Sequence, residues 1–472
     1  MSAIISSKKT IKNIAKVAMS NIINMISGIL VGLLLPKIIG VTDYGYYKTF
    51  TLYAGYIGFF HFGMVDGILL IYGGKNYDEL DKKSFSFYSK FLFVLELFFS
   101  LVIATAGLLF LPNDLKIIFF LLAFNLVCTN MVSYFQCISQ ITNRFTELSF
   151  RTIIQASLTA LSVILLWIIN RVSGTLLSYL SFTIIFCLIR FFLFVWYVVT
   201  YKDIVFGNSI SFKEGKKDVF HFMRCGIFLL VANLVSTLIL NIDRQFVSLL
   251  YDVDTYAVYA FAYNLLGLIT TAISAVSVVL YPTLKRLNAE DLQKNYQSLI
   301  DAILVVVFLS LIIYFPLIPF IESFLPKYYG SLEIFRIILP GLALSAPITL
   351  IMHNYYKTIG KNHLFFVKGI IILAISAIAN FIAYYIFGTT VSISIASVAI
   401  MVLWFAVSET TLANFTKSKN VSAYIYILFM IISFYTITVI PVWWISMAAY
   451  IVIFAFLTYL LKKNVVCQIF RR

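Results

Sequence analysis

The chain has 472 residues, of which 61% are hydrophobic and only 12% charged, with 35 Lys and Arg against 20 Asp and Glu for a net charge of +15. A soluble globular domain carries about 25% charged residues, so this chain is too poor in charge to cover a water-facing surface, and lipid is its solvent. The basic excess comes without a finger, a basic helix or an aromatic RNA-reading motif, which argues against nucleic acid as a partner.

A bilayer core takes about 20 apolar residues of helix to cross. Fourteen such stretches follow one another at 13–36, 49–72, 88–111, 116–138, 150–170, 174–200, 219–242, 256–282, 299–322, 333–356, 364–387, 390–414, 421–440 and 442–461. The opening, Met1 to Lys16, is basic and lacks a convincing small-residue cleavage site, which predicts an uncleaved first span rather than a signal peptide. Cys128, Cys137, Cys187, Cys225 and Cys467 form no C-x-x-C pair and read as small core residues rather than metal ligands or a disulfide.

The basic residues alternate between the gaps. Of the 35 Lys and Arg, six (Lys37, Lys48, Lys116, Arg171, Arg244 and Lys327) fall in the odd-to-even gaps, and Arg190 and Arg336 lie within spans. The remaining 27 sit at the termini and in the alternate gaps, which predicts an even span number with both termini in the cytoplasm. No gap is long enough for a soluble catalytic domain. The longest, Tyr201 to Lys217, reads as a linker between halves.

An internal repeat supports that cut. A shift of 212 residues lays Val41-Thr42-Asp43-Tyr44-Gly45-Tyr46-Tyr47 on Val253-Asp254-Thr255-Tyr256-Ala257-Val258-Tyr259, Asn21 on Asn233 and Asn24 on Ser236. The shift equals one six-span unit, so the halves insert in the same orientation, as a parallel repeat. The expected fold is therefore an all-α polytopic membrane protein of 14 transmembrane helices. It divides into a six-helix lobe at 1–208, a second at 209–415, and helices 13 and 14 with a cytoplasmic tail at 416–472. The lobes are expected to face each other across a central cleft.

Polar groups inside the membrane cost free energy unless they are paired or face water. In span 1, Ser20, Asn24 and Ser27 recur at helical spacing beside Asn21; in span 7, Asn233, Thr237, Asn241 and Arg244 form a second stripe. Both stripes read either as hydrogen-bonding glue between helices or as donors lining a cleft for a hydroxyl-rich or anionic ligand. Arg244 is either paired locally with Asp243 or free to clamp a phosphate. Arg190, near the middle of its span, must face a cavity or meet Asp66 or Glu96. Asp66 is a candidate for a proton or sodium role, and Glu409 is a further intramembrane acid. Gly28 to Gly32 and Gly63 to Gly67 match the small-xxx-small pattern of close helix packing. No phosphate-binding loop, H-E-x-x-H or nucleophile elbow occurs, so no enzyme activity is expected.

The run Leu35-Pro36-Lys37-Ile38-Ile39-Gly40 with Asp43-Tyr44-Gly45-Tyr46-Tyr47 resembles a known family. So do Asn241-Ile242-Asp243-Arg244 with Tyr256-Ala257-Val258-Tyr259-Ala260, and Phe62-Gly63-Met64-Val65-Asp66-Gly67-Ile68 with Tyr72-Gly73-Gly74. All are similar to the polysaccharide (O-antigen-type) oligosaccharide flippases of the multidrug/oligosaccharidyl-lipid/polysaccharide exporter superfamily, which have a MATE-like fold. The likeness runs over essentially all 472 residues in length, layout and half repeat.

The resemblance implies a bacterial cytoplasmic-membrane transporter with a V-shaped cavity that alternates between inward-open and outward-open. Its cargo would be an undecaprenyl-diphosphate-linked oligosaccharide. It also implies membrane lipids, a polysaccharide polymerase and glycosyltransferases as partners, and no cofactor, with proton or sodium coupling left open. Carried over by position, Arg244 becomes the leading cavity residue. Asp43 and Asp243 become conformational or ion-pairing residues, beside Asp66 as the ion-coupling candidate read from its place in span 2. Span 1 here carries no Arg, a departure from more cationic relatives that puts Arg190 or Lys48 forward as the second cationic contact, with Asn24 and Asn233 as polar ones. The tyrosines Tyr44, Tyr46, Tyr47, Tyr251, Tyr256 and Tyr259 read as interfacial anchors or as sugar-stacking surfaces. The alternatives are a cation-coupled multidrug or metabolite antiporter of the same superfamily and a membrane polysaccharide polymerase. Against the polymerase stands the want of a long external loop or an acidic metal-binding motif.

Overall fold

Burying a backbone in hydrocarbon requires every N–H and C=O to find a partner within the same segment or barrel, and this chain meets that demand with helices. The structure, a computed structural model, describes residues 8–277, 289–416 and 421–470. Nearly all of it, 89%, is helical, and no strand forms among the described residues. The end of the expected eighth span, 278–282, lies outside them.

The first seven helices are α1 (Lys8–Ile38), α2 (Val41–Ala54), α3 (Met64–Tyr72), α4 (Lys82–Phe110), α5 (Asn113–Ile141), α6 (Phe145–Ser173) and α7 (Tyr179–Thr200). They are followed by α8 (Phe212–Leu250), α9 (Val253–Ser277), α10 (Ala289–Ser310), α11 (Tyr314–Phe324), α12 (Ser331–Ile338), α13 (Leu342–Ala346), α14 (His353–Thr358), α15 (Asn362–Phe387), α16 (Thr390–Thr416), α17 (Val421–Ile437) and α18 (Trp443–Phe470). Each expected span falls on a helix or a bent run of helices. Among the described residues, ten helices are long and apolar enough to cross a membrane, or twelve if each of two bent pairs is one span. That count leaves out the helices Val253–Ser277 and Val421–Ile437, on which the expected eighth and thirteenth spans fall. The helix Val421–Ile437 is apolar but falls in the shorter 10–17 residue class.

The six-helix repeat is visible in the order of elements. Adding 212 to the bounds of α6 (145–173) gives 357–385, where α15 is Asn362–Phe387. The same shift takes α7 (179–200) to 391–412, where α16 is Thr390–Thr416.

Both bent pairs have local causes. The second span breaks after a 3₁₀ turn at Ile57–His61, where Phe62 (φ 49°) and Gly63 (φ 79°) are left-handed, and α3 leaves at 55°. The pair that joins α12 to α13 and α14 bends by 42° at its break, which holds Pro340 and Gly341. Proline there removes a backbone donor and is a usual origin of such bends.

Contacts divide the chain into two compact units, Met1–Leu234 and Val235–Arg472, the cut falling inside α8. In the first, α5 packs against α2, α3, α4 and α7, while α1 packs along α6. Its core is aromatic: the rings of Phe135, Tyr197 and Tyr201 lie mutually parallel, Phe135 being 5.9 Å from Tyr197 and 5.7 Å from Tyr201, and the tyrosines 6.3 Å from each other. In the second unit, α15 packs on α16, and α12 on α9 and α16. The last two helices pack on each other and on α10. There Tyr450 donates to the Phe308 carbonyl at 2.8 Å, and Lys462 pairs with Asp301 at 2.5 Å. Large apolar side chains point outward, Phe110 being 82% exposed. That arrangement is stable only in lipid. Cys128, Cys137 and Cys187 are buried core residues as expected, whereas Cys225 is exposed.

The start of α8 belongs to the first unit because glycines let it meet α3 backbone to backbone. A Cβ on Gly67 would lie 2.1 Å from the Phe222 carbonyl oxygen, and one on Gly226 would lie 2.0 Å from that of Gly63. Gly63 and Gly67 therefore do what the small-xxx-small pattern predicts. Gly28 does not, since a Cβ there would meet nothing within 4 Å. Gly67→Ala and Gly226→Ala should each cost about 1–3 kcal/mol by overpacking, seen as a lower unfolding temperature in detergent, while Gly28→Ala leaves it unchanged.

Candidate functional site

The polar residues of α1 separate into two edges. On a helix at 100° per residue, Ser20 and Ser27 lie about 40–60° to one side of Asn24, and Asn21 and Gly28 lie about 40–60° to the other. The serines are buried, whereas Asn21, Asn24 and Gly28 are exposed. Met19, Ile22 and Ile26 are exposed on another face. One helix thus presents an apolar face suited to lipid and an asparagine face that lipid would not tolerate. The serine edge packs inward and the asparagine edge faces outward.

On α8, Asn233, Thr237, Asn241 and Arg244 fall within about 80° of arc. Asn233 is exposed and the other three are half-buried. Asn241 donates to the Thr237 carbonyl at 2.7 Å, and its side-chain oxygen is buried without a partner.

At the end of that stripe stands a hydrogen-bonded cluster. Asp243 is buried and accepts from the Tyr259 hydroxyl at 2.8 Å, from the Tyr263 hydroxyl, and from the Arg244 backbone N–H at 2.7 Å. Tyr259 is approached in turn by the Ser394 hydroxyl at 3.5 Å. The expected Asp243–Arg244 contact therefore runs through the backbone, and the tyrosines occupy the carboxylate. The Arg244 guanidinium lies over the Tyr263 ring at 4.7 Å, a cation–π contact, and its Nε is buried with no hydrogen-bond partner. A guanidinium carries five donors in a planar fork, so this one retains capacity for an oxyanion.

The other expected site residues are dispersed. Arg190 lies over the Phe186 ring at 5.4 Å, and its buried Nε has no partner. Among the described residues it forms an ion pair with neither Asp66 nor Glu96. Glu96 is held instead by Asn130, whose amide donates to it at 2.7 Å. Lys48 lies over the Tyr44 and Tyr47 rings at 5.1 and 5.6 Å. Asp66 is half-buried in the first turn of α3, just past the break. Asp43 accepts from the Tyr179 N–H at 2.7 Å. Next to it the Leu177 N–H donates to the Ile38 carbonyl at 3.0 Å. Asp43 thus ties the α1–α2 corner to the start of α7, where a carboxylate is favoured at a helix N-terminus.

Tyr44, Tyr47, Tyr256 and Tyr259 are buried rather than displayed at a surface, because their rings pack in the cores of the two units. Tyr46 packs on Tyr179 at 5.4 Å and Tyr251 on Tyr384 at 5.5 Å.

Two groupings escaped sequence reasoning. One is the Glu96–Asn130 pair. The other lies outside the spans, where the Tyr77 hydroxyl donates to Asp203 at 2.8 Å and Arg144 covers its ring at 4.0 Å. Burial, with the Asp203 carboxylate, raises the Tyr77 hydroxyl above its usual pKa. At the corner after α8, the Thr255 hydroxyl and N–H lower that of Asp252.

Residues 10–288 match the family of polysaccharide biosynthesis proteins. Among curated protein sequences nothing matches. Among solved structures, the lipid II flippase MurJ in an inward closed conformation aligns with a TM-score of 0.62 at 15% identity, covering 97% of this chain and 100% of that one. An inward-facing multidrug resistance MATE family transporter of the MOP superfamily also scores 0.62 at 15% identity, covering 86% of this chain and 99% of that one. A MOP superfamily transporter from Pyrococcus furiosus scores 0.53 at 13% identity, covering 86% and 97%. At such identities the shared property is the fold, that of MOP superfamily transporters, and the chain is a multi-pass membrane protein.

The Asp243 cluster makes a stability prediction. Asp243→Ala leaves two buried hydroxyls without an acceptor and should cost about 2–3 kcal/mol, whereas Tyr259→Phe or Tyr263→Phe should each cost about 1 kcal/mol. Thermal unfolding in detergent reads the difference, and equal, negligible shifts would contradict the network.

Proposed function

The chain belongs to the polysaccharide biosynthesis protein family, and from that premise we propose that it is a flippase for lipid-linked sugars. Its cargo is an undecaprenyl-diphosphate-linked oligosaccharide repeat unit. It moves that unit across the bacterial cytoplasmic membrane by alternating access, for assembly of a surface polysaccharide such as O-antigen, capsule or exopolysaccharide. Both termini lie in the cytoplasm. No covalent bond is made or broken, so the protein supplies binding and passage rather than catalysis.

The observation that carries this reading is the Asn233–Arg244 stripe, which ends in a guanidinium held over Tyr263 with its Nε unbonded. A diphosphate requires charge-assisted donors, and sugar hydroxyls require groups that both donate and accept, which asparagine provides. The exposed Asn21 and Asn24 on α1 offer the same chemistry at the start of the first unit. Arg190 and Lys48 are the further cationic candidates. The apolar faces beside these stripes suit a polyprenyl tail that stays in the bilayer.

The related reading, a cation-coupled drug or metabolite antiporter, draws on the MATE likeness, whose TM-score of 0.62 equals that of the lipid II flippase. Fold similarity therefore does not choose between them. The family match, over residues 10–288 and described by polysaccharide biosynthesis, supports the flippase reading.

Export of surface polysaccharide in a strain lacking its own flippase tests the proposal. Arg244→Ala should reduce export about tenfold or more at equal protein level, as expected for one charge-assisted contact. Arg244→Lys should retain an intermediate level, because a lone ammonium keeps the charge but not the fork. Full export by both variants would remove the phosphate-binding role.

A further inference from the structure

The first unit contains a buried carboxyl group that nothing in the proposed passage of cargo uses. Glu96, midway along α4, and Asn130, on α5, are both fully buried. The Asn130 amide nitrogen donates twice, to Glu96 Oε2 at 2.7 Å and to the Ile57 carbonyl at 2.9 Å. That carbonyl opens the 3₁₀ turn at which the second span breaks. The two remaining oxygens, Glu96 Oε1 and Asn130 Oδ1, are buried and have no hydrogen-bond donor.

These two orphans belong to the same carboxyl–amide pair. An ionised carboxylate has no donor to offer the amide oxygen, and it would leave a charge in the helix bundle with only a neutral partner. A carboxylic acid resolves both defects with one proton. Its O–H on Oε1 becomes a donor, and the amide oxygen is the acceptor that its neighbour lacks.

The surroundings supply no counter-charge. Among the described residues Glu96 forms no ion pair. On the 3₁₀ turn, His61 accepts from the Gly63 N–H at 3.2 Å. On α5, Cys137 lies against the Val65 carbonyl and Tyr134 donates to that of Phe85. Asp114 and Lys116 lie in the first turn of α5, at the turn of the α4–α5 hairpin and about four helical turns along from Asn130. On α4 itself, Lys90 is bonded to Gly207 and Ser209. The one-turn helix Lys202–Val205 carries Lys202 and Asp203, and Asp203 is taken by Tyr77 and Lys82.

We propose that Glu96 and Asn130 form a proton-binding site at the break in the second span, with Glu96 carrying the proton at neutral pH. Asn130 couples the site to the bend, because the same amide nitrogen holds both the carboxyl and the Ile57 carbonyl. A movement of the broken helix that pulls Ile57 away releases one of its two acceptors, which changes how firmly the proton is held.

Infrared difference spectroscopy of the full chain in lipid nanodiscs tests this independently of any cargo. Subtracting the spectrum of Glu96→Gln from that of the unaltered protein at pH 7 should isolate a protonated carboxyl stretch, with the same amplitude in sodium chloride and in choline chloride. Carboxylate bands in that difference would overturn the proposal, as would a protonated band that sodium abolishes, since the pair would then be a cation site. A second measurement covers variants that fold poorly. Glu96→Gln copies the neutral acid and should keep the unfolding temperature at pH 7, whereas Glu96→Ala should lower it. Equal losses in both variants would also count against a neutral Glu96.

Discussion

Inside a bilayer an asparagine or arginine side chain has to find another polar group or water, because hydrocarbon offers it nothing. That single constraint orders most of what this molecule shows. The serines of α1 turn inward and are buried, while Asn21 and Asn24 on the neighbouring edge of the same helix remain exposed. Asp243 is taken out of contact with lipid by two tyrosine hydroxyls and a backbone N–H. Glu96 is enclosed with an asparagine. The polar side chains that stay exposed or half-buried on α8, in the stripe that ends in Arg244, then become the natural candidates for contact with a polar cargo.

The same constraint explains why the bends matter. A break in a membrane helix exposes backbone groups that require substitutes. At the second span the substitutes are local: the His61 ring accepts from the Gly63 N–H, and Asn130 covers the Ile57 carbonyl. Gly63, Gly67 and Gly226 then let α3 and α8 touch through their backbones.

The spans, their order and the repeat were legible in the sequence because a bilayer imposes a length on every crossing, and the shift of 212 residues is preserved in helices as far along as α15 and α16. The bend at Phe62 and Gly63 was not, since the run from 49 to 72, although it holds His61, Asp66 and four glycines, is apolar enough on both sides to read as one crossing. Side-chain partners were the least legible. Asp43 bonds to Tyr179, 136 residues away. Tyr259 resembles an interfacial anchor in the sequence, yet folding places it in the core against Asp243. Asn130 is one of several polar residues on α5, with Asn125, Thr129 and Ser133 nearby, and nothing local marks it as the partner of Glu96. Polar stripes on single helices could be read because helical spacing alone defines them, although spacing could not say which edge of α1 is buried.

The central claim is that Asn24 and Asn233 face water within the membrane while Ile22 and Ile26 face lipid. Cysteine scanning tests it most directly, with Cys128, Cys137, Cys187, Cys225 and Cys467 replaced and single cysteines placed in turn at 22, 24, 26 and 233. Treated in intact membranes with a membrane-impermeant maleimide, positions 24 and 233 should be labelled and positions 22 and 26 should not. Labelling confined to 22 and 26, or absent from 24 and 233 in every conformation sampled, would contradict a hydrated polar path.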